Sequence, residues 1–130
     1  ISTHPDTQFI LGHLGFDFVN KKQKWLDDCL RLATTYPNVW LEPSALGSES
    51  SDPDQVILVE AYQKIKEKGL IERVIYGSDG PQRPGFIAEY LERNLYAMEK
   101  NDYTLEEVEL ILSKNADRAF GLEAITLGDE

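Results

Sequence analysis

Five polar side chains stand where three short apolar runs end. His13 follows Phe9-Ile10-Leu11-Gly12, Glu42 and Ser44 follow Val39-Trp40-Leu41, and Ser78 and Asp79 follow Val74-Ile75-Tyr76-Gly77. An imidazole and a carboxylate on neighbouring strand ends can share a divalent cation or work as an acid–base pair. His13 and Asp79 lie too far apart in the chain to form a local metal motif, so only the fold can bring them together. Each also has a plainer reading. His13, flanked by Gly12 and Gly15, can simply bond a neighbouring loop, and Asp79 before Gly80 is ordinary turn chemistry. Glu42 can pair with a basic residue such as Arg73 or Arg83. His4 before Pro5 reads as structural, Cys29 as a core thiol within an apolar stripe, and Trp25 and Trp40 as core aromatics. Neither G-x-x-x-x-G-K-[ST] nor G-x-G-x-x-G occurs, which weakens nucleotide readings.

The elements that must position these groups alternate between short apolar runs and amphipathic stretches, the pattern of βα units and a parallel sheet. The fold class is α/β. Residues 9–11, 39–41 and 73–76 read as strands, and open parallel sheets and barrels both place ligands at the C-terminal ends of such strands. The spacing predicts helices from about Lys21 to Tyr36, from Asp52-Pro53 to about Lys68, and from about Pro84 to Glu99. Thr104-Leu105-Glu106-Glu107 is a capping box opening a further helix through Val108, Ile111 and Leu112. A short turn over 115–122 then precedes a polar tail, expected to fray.

The 130 residues suffice for one domain. With 13 basic and 23 acidic residues the net charge is −10, so a phosphate backbone or anionic membrane surface is repelled overall. A single cysteine forbids an internal disulfide framework, and no apolar run approaches the roughly 18 residues of a membrane helix. A cytoplasmic location is the expectation. The chain opens on Ile1 rather than Met, without a signal-peptide pattern, so processing or preceding sequence is expected.

HPDTQFILGHLG (4–15), VWLEPSA (39–45), VIYGSDGP (74–81) and NADRAFGL (115–122) occur in the order and spacing of a known group. In these segments the chain resembles the amidohydrolase-related metal-dependent hydrolases, the branch that includes the aminocarboxymuconate-semialdehyde decarboxylase-like enzymes. The resemblance spans nearly the whole chain but matches only the family's C-terminal half. It implies a partial (β/α)8 TIM barrel, a single domain over 1–130, with residues 9–13, 39–42 and 73–77 as barrel strands six to eight under covering helices. His13 then corresponds to the strand-six histidine, a metal ligand or electrophile. Asp79 corresponds to the strand-eight aspartate, a metal ligand and base toward metal-bound water. Asn115 corresponds to a structural asparagine tying the final helix to the preceding turn.

The activity so implied is hydrolysis of a C–N or C–O bond, or non-oxidative decarboxylation, with Zn²⁺ or a similar divalent metal. Glu42, Ser44 and Arg83 are the expected substrate shell for a small molecule. The family's His-x-His pair and strand-five histidine have no counterpart here, so the metal site is expected to be incomplete and the chain inactive alone. A competing expectation is a non-catalytic α/β module. Cut sheet edges would then lead to self-association, or to a barrel completed by a missing N-terminal half.

Overall fold

A computed structural model of the chain describes residues 1–122. Strand β1 (Phe9–Gly12) pairs in parallel with β4 (Val39–Glu42), Phe9 opposite Val39 and Gly12 opposite Glu42. Between them come a 3-10 turn at His13–Gly15 and an antiparallel pair, β2 (Phe16–Asp17) with β3 (Lys22–Gln23). Helix α1 (Leu26–Thr35) then returns the chain to β4.

After β4 come α2 (Val56–Glu67), a 3-10 turn at Ile71–Arg73, and α3 (Phe86–Lys100). The chain continues through α4 (Leu105–Glu109), a π-turn at Leu110–Lys114, and α5 (Asn115–Phe120). Thr104 and Glu107 form the expected capping box, each side chain bonding the other's backbone N–H. No helix among the described residues is long and apolar enough to cross a membrane.

The α/β class stands, but the barrel expectation is overturned. The described residues contain four short strands in two separate two-stranded sheets, one of them antiparallel, and no closed barrel. The segment 73–77, expected as a third parallel strand, forms only a single bridge, Val74 to Leu41. The ladder stops at the end of β4: the Ile75 N–H donates to Leu41 O at 2.8 Å, but Pro43 has no N–H for the next rung, and its carbonyl already accepts from Leu46 N at 3.0 Å and from the Tyr90 hydroxyl at 2.5 Å.

Three other differences have local causes. Asp17 accepts from the Val19 and Asn20 amides at 3.1 and 3.0 Å, and this turn feeds β3 where a helix was expected from Lys21. The first helix therefore begins only at Leu26. Asp52 does not stand next to α2 but reaches forward to cap it, accepting from Leu58 N at 3.0 Å. Residues 115–120, expected as a turn, are helical. The tail expected beyond Leu122 lies outside the described residues.

Alternate residues of β4 face opposite ways, as a pleated strand requires. Val39 and Leu41 enter the main core with Leu30, Leu58, Tyr62, Ile65, Val74, Met98 and Ile111. On the opposite face Trp40 packs with Ile75 and Ala119. Cys29 is buried as expected, and burial, followed by the charge of Asp28, pushes its thiol pKa up. Trp25 was expected in the core but is 49% exposed, because it lies just outside α1 with Lys24 Nζ over its ring.

Candidate active site

The parallel register sets Gly12 and Glu42 side by side at the C-terminal ends of β1 and β4. One residue beyond Gly12 is His13, and two beyond Glu42 is Ser44. Their side chains form one hydrogen-bonded chain. His13 Nδ1 lies 2.6 Å from the Ser44 carbonyl oxygen and 3.1 Å from Ser44 Oγ. Ser44 Oγ donates to Glu42 Oε2 at 2.6 Å, and the Ser44 amide donates to Oε1 at 3.0 Å. Ser44 is only 5% exposed, whereas His13 and Glu42 are half-buried. The ring of Phe18 meets the His13 ring edge-on, centroids 5.2 Å apart.

Because a carbonyl oxygen can only accept, the short contact to Ser44 O requires a proton on His13 Nδ1. In the neutral ring the Nε2 lone pair is then available for proton transfer. This is not a serine nucleophile arrangement, since the Ser44 hydroxyl proton points at Glu42 and not at the imidazole.

Asp79 follows the bridged segment and is exposed, with Gln82 Nε2 donating to its carbonyl oxygen at 3.1 Å and its Oδ2 at 3.3 Å. Arg83 is engaged by two carboxylates, Glu49 at 3.1 Å and Glu89. The structure thus joins His13, Glu42 and Ser44 in one network, while Asp79 and Arg83 stand outside its hydrogen bonds. Glu42 forms no ion pair with Arg73 or Arg83. Arg73 is used instead as a clamp, donating to the carbonyls of Tyr36, Pro37 and Val39.

The metal expectation for His13 and Asp79 is also corrected. Among the described residues no three His, Cys, Asp or Glu side chains converge to hold an ion. A catalytic zinc takes three protein ligands and an open position, so the donors present do not fit one.

Two residues that hold the site loop were not singled out in the sequence. Tyr90, read as part of an apolar helix face, donates its hydroxyl to Pro43 O at 2.5 Å and Leu46 O at 2.8 Å. Arg93 donates to Gly47 O at 2.5 Å, to Asp52 O at 2.9 Å and to Pro53 O at 3.0 Å. Together they fasten the segment after β4 to α3. The only hint was the polar tip of a tyrosine on an otherwise apolar stripe, since a buried Tyr O–H usually finds an acceptor.

The structure therefore places one oriented histidine at the end of a parallel strand pair in an α/β chain. The amidohydrolase family model matches residues 1–122, and the chain belongs to that family. No curated protein and no solved structure matches it.

Proposed function

We propose that the chain serves the chemistry of an amidohydrolase-type enzyme. The reaction is cleavage of a C–N or C–O bond by water, or non-oxidative decarboxylation as in the aminocarboxymuconate-semialdehyde decarboxylase-like branch. His13 and Asp79 are the catalytic pair, with Arg83 at the edge of the substrate region. His13 Nε2 takes a proton from water or substrate, and the Asp79 carboxylate orients or accepts. No step runs through a cation, because the donors do not complete a site for one.

The observation that carries this reading is backbone conformation. Of the seven non-glycine residues with positive φ among the described residues, four, His13 (φ 59°), Leu14, Ala45 and Asp79 (φ 56°), lie just beyond β1, β4 and the segment bridged to β4. Such conformations are sparsely populated by non-glycine residues and cluster at functional sites. Turnover of amide, ester and aromatic-acid substrates by the wild-type protein and by Asp79→Asn tests the proposal. Wild-type turnover that drops by about 10² or more in the variant supports it. Equal turnover in both, or none in the wild type, overturns it.

A second reading, association rather than catalysis, is favoured by one observation. Among the described residues the outer edge of β1 has no partner strand, and Ile10 on it is 40% exposed. Light scattering tests it: an oligomer supports that reading and a stable monomer at micromolar concentration removes it.

A further inference from the structure

We infer that Glu42 and Ser44 are positioning residues for His13 rather than parts of a substrate shell, and that the charge on Glu42 helps fix which imidazole nitrogen is free. Ser44 has little surface to offer a substrate, and both of its backbone polar groups and its hydroxyl are engaged within the network. The direction of each hydrogen bond follows from the chemistry of the acceptors. An ionised carboxylate only accepts, so Glu42 draws the amide proton of Ser44 to Oε1 and its hydroxyl proton to Oε2. The Ser44 oxygen, its single proton committed, can then only accept from His13 Nδ1. The Ser44 carbonyl makes the same demand, so two acceptors converge on one nitrogen.

The place of Glu42 depends on the missing side chain at Gly77. A Cβ at Gly12 would meet Glu42 Oε2 at 3.6 Å, an ordinary contact, but a Cβ at Gly77 would overlap Oε1. The carboxylate therefore lies in a slot between the end of β1 and the bridged segment.

Replacing Glu42 by glutamine reverses one link. The Gln oxygen must stay opposite the Ser44 amide proton, which leaves the NH₂ facing Ser44 Oγ. That oxygen then accepts from glutamine and turns its own proton toward His13 Nδ1, competing with the carbonyl. Ser44→Ala removes the hydroxyl but keeps the carbonyl, so it leaves the Nδ1–H form in place. For its catalytic meaning this inference rests on the proposed role of His13, but its test does not measure turnover.

The test is long-range ¹H–¹⁵N correlation of the histidine rings at about pH 8, where an ordinary imidazole is neutral. The chain has two histidines, and His4→Gln assigns the signals. The expected result is an Nδ1–H tautomer in the wild type and in Ser44→Ala, and a mixture containing the Nε2–H form in Glu42→Gln. Circular dichroism checks that each variant folds. If Glu42→Gln does not fold, Glu42→Ala takes its place, because without a carboxylate the Ser44 hydroxyl proton is free to turn toward His13 Nδ1, with the same expected mixture. A wild-type ring protonated on Nε2, or a tautomer unchanged in the folded Glu42 variant, overturns the inference. A protein without turnover whose tautomer responds to Glu42 keeps this inference and loses the catalytic reading.

Discussion

The carboxylate of Glu42 occupies the space that any side chain at position 77 would need. Gly77 is not a positive-φ glycine, so its role is room rather than backbone freedom. The two residues lie on adjacent segments, and the absence of a side chain on one lets the other lie across the strand ends toward Ser44.

Gly77→Ala should therefore swing the flexible end of Glu42 aside at the cost of its hydrogen bonds to Ser44, about 1.5–3 kcal/mol for bonds to a charged group. Gly12→Ala, with its 3.6 Å approach to Oε2, should be tolerated. Urea unfolding of the two variants measures the contrast. Equal stability of both would show that the slot is not tight.

Asn115 is fully buried and donates Nδ2 to Ile71 O at 2.9 Å and Val74 O at 2.7 Å, tying α5 to the segment that bridges to β4. Asn115→Ala should cost about 1–3 kcal/mol, because it leaves the Val74 carbonyl without a donor while Ile71 O keeps the Val74 N–H at 3.3 Å. A lowered denaturant midpoint with an unchanged m value is the expected result.

Tyr62 is fully buried with its hydroxyl donating to Asn94 Oδ1 at 2.8 Å, and burial raises its pKa well above the ordinary value. Burial also raises that of Tyr90. A raised folded-state pKa contributes stability that is fully present below the unfolded value of about 10 and lost as pH climbs beyond it. Above that pH the unfolded chain binds fewer protons, so stability should fall by about 1.4 kcal/mol per pH unit for each such tyrosine. Tyr62→Phe should remove one of these contributions, seen as a shallower decline of unfolding free energy above pH ~10.

Thr104→Ala breaks one half of the capping box at the start of α4 and should cost about 1 kcal/mol. A thermal melt measures it, with Leu105→Ala at the 88% exposed neighbouring position as a comparison expected to change little.

What the sequence made legible was local. The runs at 9–12 and 39–42, the helix at 86–100 and the Thr104 capping box were all readable, because period and cap chemistry act within a few residues. His13, Glu42 and Ser44 were singled out by their positions after apolar runs, but their mutual bonding was not, since it depends on the register that sets Gly12 beside Glu42. The third strand failed for a similar reason. Val74-Ile75-Tyr76 has strand composition, but the ladder stops because the next β4 position is Pro43, which has no N–H and whose carbonyl is taken by Leu46 N and by Tyr90, distant in the chain. Lys22 and Gln23 were drawn into a helix because the turn made by Asp17 and Asn20 carries no apolar signal. The metal expectation came from family likeness rather than from donors that converge among the described residues.

The most direct measurement is kcat/KM for the substrate the wild-type protein turns over best, compared with His13→Gln once circular dichroism has shown that both fold. If His13 Nε2 moves the proton, the variant loses a factor of about 10²–10⁴. An unchanged kcat/KM would contradict the assignment of His13 as the working group of the site.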